Sequence, residues 1–346
     1  MIEFVGPIDI RVATNAPIEI RLPDIYLLQR AMATSASSSL GPAPWRKLFL
    51  EHIQTVASPE FTLSTVRKIS SSYSPSGAAA KGSYYYAPRA RTCVFRGLFA
   101  ELPANPKNEA RLNPPGVYES DLLTFTTDRR MDKMAELFGV GDEEMTTTTD
   151  GSEKREGRRK ITDGSGGGAP VEAVFWAKEA GTQWRVRGKA YVLAPDVEDS
   201  AAGREVISTL TSRMRVLKNT NTDTDNAAAA ATNEWSFSRE ITAHFGNLSP
   251  LMRGSFRNPP PGTPVAAPVG DDRLRLGQRV TDLGDEVARA NFRVVVIVPE
   301  GVDRTDLRDP ERGRRWLYTY VGGGKSESTA PGGVVEDGWE EVEVWP

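Results

Sequence analysis

The stretch VEAVFWAKEAGTQWRVRGKAYVL, residues 171–193, decides the fold class of this chain. Residues 171–177 and 184–193 are rich in β-branched and aromatic side chains, which is typical of strands. The KEAGTQ segment between them has the length of a hairpin connection. The stretch therefore predicts two antiparallel strands joined by a short turn.

Further strands and a few helices are predicted on both sides of this hairpin. The strand candidates cover residues 61–66, 91–101, 122–127, 292–298, 316–321 and 339–345. Helices are predicted over residues 43–53, 130–138 and 234–245, and Pro44 suits the start of the first. Many short strands with hairpin-scale connections predict an antiparallel barrel or sandwich.

Two low-complexity segments interrupt the pattern, at about 141–169 and 196–233. Such compositions cannot bury enough apolar surface to offset the entropy of ordering, so we expect disordered inserts in surface loops. We expect one β domain over residues 43–346 and an N-terminal extension over residues 1–42. Met32 opens a stretch that reads like the start of a protein, so the residues before it are interpreted as a leader or a gene-model extension.

Charge and composition argue against several classes of function. The formal net charge is −3 and the pI is about 5.7, whereas general nucleic-acid binders are strongly basic. The single cysteine, Cys93, cannot form an intrachain disulfide, which is compatible with a reducing compartment. The sequence has neither an apolar run of the ~18 residues that a membrane helix needs nor a secretory signal. We expect a cytoplasmic protein that binds neither nucleic acid nor a membrane.

Metal and hydrolase chemistry is disfavoured for a similar reason. His52 and His244 are the two histidines of the chain, so a three-histidine zinc site is impossible and no HExxH motif exists. Neither histidine lies near a GxSxG elbow. We therefore predict no metal site.

Basic residues flank the predicted strand in RARTCVFRGLF, residues 89–99. Arg91 and Arg96 are five positions apart, which places them on opposite faces of an ideal strand. A bulge or a strand end near Gly97 is needed to bring both toward one ligand.

A second basic group follows the predicted strand 122–127. Thr126 and Thr127 end this strand, and Arg130 and Lys133 share one face of the next helix because they are three positions apart. Hydroxyls, free backbone N–H groups and cations at a helix start are typical of a phosphate site. The chain has no Walker loop and no GxGxxG motif, and on spacing alone a solvated basic helix start is the alternative.

In their order and spacing, several segments together resemble the pyridoxamine 5′-phosphate oxidase-like flavoproteins. The segments are APWRKLF (43–49), PRARTCVFRGLF (88–99), LTFTTDRRMDKMAEL (123–137), VEAVFWAKEAGTQWRVRGKA (171–190), LSPLMRGSFRNPPPGTP (248–264), FRVVVIVPEGVDRTDLR (292–308), RRWLYTY (314–320) and the end of the chain from Trp339 to Pro346. The resemblance is to the branch that carries the FMN-binding domain and whose substrates are mostly undefined. It implies a mainly β fold, an antiparallel split barrel with a few flanking helices, which binds FMN at a homodimer interface.

The resemblance also implies a set of cofactor-binding residues. The matching positions here are Arg91, Thr92, Val94, Arg96, Thr126, Thr127, Arg130, Lys133, Gln183 and Arg315. The first four lie on the family's strand along the FMN, and the next four match the strand end and turn that hold the phosphate. Gln183 matches a glutamine that meets the flavin, and Arg315 falls near an arginine of a later cofactor motif. Thr126 stands where the oxidase usually has an aromatic residue.

Each position also has a plain structural explanation. Arg91 is then an exposed charge at a strand end, Gln183 a polar hairpin residue, and Arg315 a partner for nearby carboxylates.

The activity that the resemblance implies is an FMN-dependent oxidoreductase with an undefined small-molecule substrate. The vitamin-forming oxidase holds its substrate with an Arg-x-His pattern near the C-terminus, and here Gly313 stands at the histidine position. Oxidation of pyridoxamine or pyridoxine 5′-phosphate is therefore the alternative activity. From another class, the alternative is a non-catalytic flavin-binding or interaction protein.

Overall fold

Strands dominate the chain in the computed structural model, which describes residues 40–54, 59–70, 84–141, 161–217, 234–324 and 327–346. The strands are β1 Glu60–Ser70, β2 Tyr84–Val94, β3 Tyr118–Ser120, β4 Leu123–Asp128, β5 Gly166–Ala177, β6 Thr182–Leu193, β7 Met214–Val216, β8 Phe292–Asp306, β9 Arg314–Tyr320, β10 Val334–Glu336 and β11 Trp339–Val344. The α-helices are α1 Arg46–Gln54, α2 Lys133–Phe138, α3 Ala201–Thr211, α4 Phe237–Gly246, α5 Pro250–Gly254 and α6 Glu286–Asn291. All paired strands are antiparallel, which confirms the predicted fold class.

The main sheet closes on itself through the segment that follows β2. Strands β2, β1, β5, β6 and β8 are neighbours in that order, and β4 pairs with the first half of β8. After β2, Arg96 N–H donates to the Thr124 carbonyl at 2.8 Å and Thr124 N–H donates to the Gly97 carbonyl at 3.0 Å. These bonds join the two edges into a barrel. Among the described strands, β2 and β4 do not pair with each other, so the barrel is split between them. We call this gap between β2 and β4 the split.

Helix α1 plugs the barrel interior with an aromatic side chain. Pro44 precedes the helix, and Phe49 and Ile53 are its buried positions, four residues apart on one face. The ring of Phe49 is fully buried and meets Trp45, Phe95, Phe175 and Trp184 edge to face, with centroids 5.1–5.9 Å apart. The interior core is therefore organised around α1.

A second core lies on the outer side of β8. Val294, Val296 and Val298 alternate away from the barrel interior and pack in one cluster with residues of α3, α4 and α6. This cluster explains why β8 is apolar along both faces rather than alternating.

For two of the predicted elements, the structure shows a local reason for a difference in bounds. The strand predicted over residues 91–101 lies earlier in the chain, because β2 covers Tyr84–Val94. It ends there because Gly97 has a φ of 106° and residues 98–101 form a tight turn, in which Glu101 N–H donates to the Leu98 carbonyl. The helix predicted from residue 130 begins at Lys133, because Asp128 accepts from the backbone N–H of Arg130 and holds a turn there.

The structure describes part of each expected insert and shows strands and a helix there. β5 already begins at Gly166, and α3 and β7 lie inside the second segment, so the expectation of disorder is wrong for residues 161–169 and 196–217. Ser200 caps α3 by accepting from Gly203 N–H at 2.9 Å, and Val206 and Leu210 bury one helix face. The rest of both inserts and residues 1–39, with Met32, lie outside the described residues. The domain limits of 43–346 stay a prediction.

Within the ranges that the structure describes, no helix is both long enough and apolar enough to span a bilayer.

Gly188 marks a close approach of two backbones, where the register between β6 and β8 shifts. A Cβ at this position lies 2.0 Å from the Val298 carbonyl oxygen. We expect Gly188→Ala to lower the free energy of unfolding by about 1–3 kcal/mol, measured by urea denaturation. Gly270→Ala is the control, because its Cβ meets no atom within 4 Å. Equal unfolding midpoints for the two variants contradict the close approach.

Candidate functional site

Helix α2 lies at the split between β2 and β4 and connects their side chains. It packs against β1, β5 and β6. Lys133 Nζ donates to Thr127 Oγ1 of β4 at 3.1 Å. Glu136, one turn later, accepts from Thr65 Oγ1 of β1 at 2.5 Å and forms an ion pair with Arg91 of β2. One short helix thus places a lysine and a carboxylate between the two strands that the sequence predicts to hold a phosphate.

Lys133 is a buried cation whose direct partner is neutral. Burial lowers its pKa from the ordinary value of 10.5; Cys93 opposes that shift, Arg91 adds to it, and Asp128 and Glu136 oppose it. Within the described parts of the chain, no carboxylate lies within ion-pair distance of its Nζ. An anion that enters this site therefore finds an ammonium group that is not already neutralised.

Cys93 lies close to these charges but is not activated by them. Burial raises the pKa of its thiol, and this effect outweighs the opposing influence of Lys133 and Arg91. A thiol that stays protonated is a poor nucleophile. Cys93 therefore packs as a small apolar side chain.

Arg96 is a second cation to which the described structure gives no acidic partner. Its side chain is half-buried, burial lowers its pKa, and its Nε is buried with no hydrogen-bond partner in the described structure. The guanidinium group therefore keeps donors that the described protein does not use. Its backbone is fixed on Thr124, at the junction that closes the barrel.

Two other predicted cations are held by internal partners. Arg91 donates to Thr65 Oγ1 and is paired with Glu136. Arg130 forms an ion pair with Asp128 at 2.6 Å and donates to the carbonyl of Asn258 at 2.8 Å. Both guanidinium groups are thus engaged in holding the site together.

Alternation along the strands separates the remaining residues by face. Arg91 and Cys93 stand opposite Leu63 and Phe61, which are in the barrel core, so Thr92 and Val94 alternate to the outer face. Thr126 likewise alternates with Phe125 of the core and is half-exposed on the outer side. Thr127 and Lys133 therefore belong to the split, whereas Thr92, Val94 and Thr126 border it from outside.

Gln183 and Arg315 lie farther round the outer face. Gln183 pairs with Thr305 of β8, and Thr305 pairs with Arg315 of β9, so the three residues stand in one row across the sheet. Arg315 forms an ion pair with Asp303 at 2.8 Å. A pocket of about 260 Å³ opens beside it, lined also by Glu172 and Arg185.

The row is distant from the split within one chain. Thr127 pairs with Arg293 near the start of β8, whereas the row crosses β8 at Thr305, twelve residues farther along the same strand, or ~40 Å of extended chain. The structure therefore brings Arg91, Thr127 and Lys133 together and leaves Gln183 and Arg315 on a separate surface.

Sequence reasoning missed Glu136 and Thr65. The spacing of Lys133 and Glu136, three residues apart on one helix face, is the signal that points to Glu136. Thr65 carries no such signal, because its contact with Glu136 depends on how α2 docks on β1. In the described chain, no group of three metal-ligating side chains was found.

Comparisons with known proteins agree with the predicted resemblance. Residues 42–194 match the family model described as pyridoxamine 5′-phosphate oxidase, FMN-binding domain. A curated relative is an uncharacterized protein of Saccharomyces cerevisiae, 21% identical over 351 residues that cover 88% of this chain and 98% of the relative.

Two solved structures are also similar. One is a pyridoxamine 5′-phosphate oxidase-related, FMN-binding protein from Nostoc punctiforme PCC 73102, 18% identical, with a TM-score of 0.43 and coverage of 88% of this chain and 98% of that one. The other is PhzG from Burkholderia lata 383 in complex with tetrahydrophenazine-1-carboxylic acid, 11% identical, with a TM-score of 0.29 and coverage of 97% and 99%.

Proposed function

We propose that this chain is a flavoprotein that binds FMN, because its residues 42–194 match the model of the FMN-binding domain of pyridoxamine 5′-phosphate oxidase. We propose further that it acts as an FMN-dependent oxidoreductase on a small molecule, as a cytoplasmic homodimer. The observation that carries the proposal is the presence of two cations to which the described structure gives no acidic partner, Lys133 beside Thr127 and Arg96 at the junction that closes the barrel.

The residues of the split fit the phosphate of FMN. A phosphate monoester carries about −1.5 to −2 charges and three acceptor oxygens at neutral pH. Lys133 offers an ammonium group, Arg96 offers a guanidinium group without an acidic partner in the described structure, and Thr127 offers a hydroxyl already bonded to Lys133. These three side chains hold the phosphate in this proposal. Arg91 and Arg130 support the geometry through their own ion pairs.

The division of the predicted residues between two surfaces supports a dimer. Gln183 and Arg315 flank Thr305, which is twelve residues along β8 from Arg293, the partner of Thr127, or ~40 Å of extended chain. This is too far for both to meet a flavin whose phosphate lies at the split of the same chain. In a homodimer, the outer face of one copy approaches the split of the other. Trp176, next to Gln183 on that face, is 52% exposed and is available to be covered.

Redox chemistry is what FMN supplies when it is bound, through two-electron reduction and reoxidation of its ring. The side chains of this protein bind and orient it. No protein nucleophile is required, which is consistent with the raised pKa of Cys93.

Titration of the purified protein with FMN and with riboflavin tests the proposal. Two charge-assisted contacts contribute about 1.5–3 kcal/mol each, so FMN is expected to bind roughly 10² to 10⁴-fold more tightly than riboflavin. Equal affinities contradict the phosphate site, and a protein that binds neither compound contradicts the flavoprotein assignment. Formation of pyridoxal 5′-phosphate by the loaded protein would favour the vitamin-forming alternative.

The pH dependence of FMN binding is expected to report on Lys133. Above the second phosphate pKa of about 6 the ligand keeps its charge, so the protein determines the profile. Burial lowers the pKa of Lys133 from 10.5, and deprotonation removes the cation. FMN affinity is therefore expected to be full below that lowered pKa and to fall as the pH rises through it, before 10.5 is reached. In Lys133→Arg the fall is expected to move to higher pH; an identical profile contradicts the role of Lys133.

A further inference from the structure

A second pocket, of about 250 Å³, lies between the α3–β7 connection and strands β9 and β11. Arg213 and Arg215 line it together with the carboxylates of Asp121 and Asp337, and Leu122, Tyr320 and Trp339 provide apolar and aromatic surface. None of the predicted cofactor residues lines it. Its volume lies just below the ~300–1,000 Å³ of common ligand sites, so it suits a small ligand.

The two arginines of this pocket differ in how far they are neutralised. Arg215 donates to both oxygens of Asp121, at 2.6 and 3.0 Å, and to Glu119 at 3.0 Å. Its Nε, Nη1 and Nη2 all donate to carboxylates, so Arg215 joins β7 to β3 and to the residue that follows it. Asp121 also accepts from Ala43 N–H at 3.2 Å, and Asp337 accepts from Gly41 N–H at 2.6 Å, so both carboxylates of the lining are engaged within the protein.

Arg213 is positioned but not neutralised. Its Nη2 donates to the Pro299 carbonyl at 2.7 Å, and its Cζ stacks 3.4 Å from the centroid of the Tyr320 ring. Throughout the described residues, no carboxylate lies within ion-pair distance of Arg213, and its Nε and Nη1 make no hydrogen bond. The guanidinium group is half-buried, and burial is the main cause that lowers its pKa. A fixed cation with two unused donors beside a cavity is suited to a carboxylate.

We propose that this pocket binds a small monocarboxylate with a flat apolar body. The carboxylate meets the unused donors of Arg213, and the body lies against Leu122, Tyr320 and Trp339. Aromatic walls favour a planar ring over a compact inorganic anion, because ring stacking and apolar burial are lost with the latter. This site does not depend on the flavin proposal, since no residue is shared.

Calorimetric titration of the full chain with sodium benzoate, with and without added FMN, tests the site. Benzoate binding that is the same in both titrations reports on a site other than the flavin site. Saturable binding of benzoate that is tighter than binding of inorganic phosphate supports the proposal. Absence of benzoate binding, or tighter binding of phosphate, overturns it.

Three variants assign any binding to this pocket. Arg213→Gln keeps a donor for the Pro299 carbonyl but removes the charge, and we expect benzoate affinity to fall about tenfold or more. Ser212→Glu places a negative charge at an exposed position of the lining, without touching the stacked arginine, and is expected to weaken binding similarly. Arg204→Gln, on the exposed side of α3, is the matched control and should leave affinity unchanged. Unchanged affinity in folded Arg213→Gln and Ser212→Glu overturns the assignment.

Discussion

Replacement of both Arg96 and Lys133 by alanine is expected to weaken FMN binding by about 3–6 kcal/mol, or roughly 10² to 10⁴-fold. The two side chains are the cations of the split that carry no acidic partner in the described structure. Their removal leaves the phosphate with Thr127 and backbone groups. Because neither cation forms an ion pair with any residue that the structure describes, the loss should appear in binding rather than in folding.

Calorimetry or quenching of flavin fluorescence measures this effect. The matched control removes one lysine and one arginine from the surface, Lys107→Ala with Arg111→Ala, since both side chains are exposed. We expect the control to bind FMN as the parent protein does. An equal loss in both double variants indicates a general effect of net charge, and an unchanged affinity in the site variant rejects the phosphate site.

Phe49→Ala is expected to lower the free energy of unfolding by about 3–5 kcal/mol, the largest effect on stability that we predict from a single change. The ring is fully buried and has four aromatic neighbours inside the barrel. Its loss removes apolar burial and leaves a cavity between α1 and β6 that rigid strands cannot close.

Urea denaturation of Phe49→Ala and Leu112→Ala provides the comparison. Leu112 is 41% exposed, so its truncation is expected to cost less than about 1 kcal/mol. A small loss for Phe49→Ala shows that α1 does not plug the barrel. A change in the denaturant slope signals instead that the compactness of one state has changed.

Local patterns in the sequence were sufficient for the framework of the barrel. The turn between β5 and β6 was predictable, because a short polar connection between two β-rich runs allows little else. The order of strands around the barrel was not readable from the residues, because the pairing of β4 with β8 joins segments far apart in the chain. The family resemblance implied a split barrel but no order of its strands.

The limits of sequence reasoning are visible at α3. Its residues fall inside the second expected insert, 196–233, which was based on the polar and alanine-rich run at 219–233. Val206 and Leu210 become meaningful only against the outer core beside β8, which tertiary packing creates. A cap at Ser200 and apolar residues four apart were the local signals that the composition obscured.

The candidate site was predictable in part for the same reason. Lys133 and Thr127 are close in sequence, so their contact follows from a strand end and a helix start. The pairing of Arg91 with Glu136 was not predictable, since it depends on the docking of α2 at the split. Gln183 and Arg315 stand in one row through the register of β6, β8 and β9, which only the structure provides.

A crystal structure of the FMN-loaded protein is the most direct measurement of where the phosphate binds. We predict phosphate oxygens within hydrogen-bond distance of Lys133 Nζ and the Arg96 guanidinium, with Gln183 contributed to the flavin by a second copy. A phosphate bound elsewhere, with Lys133 still bonded to Thr127 alone and the Arg96 Nε still without a partner, would contradict the account.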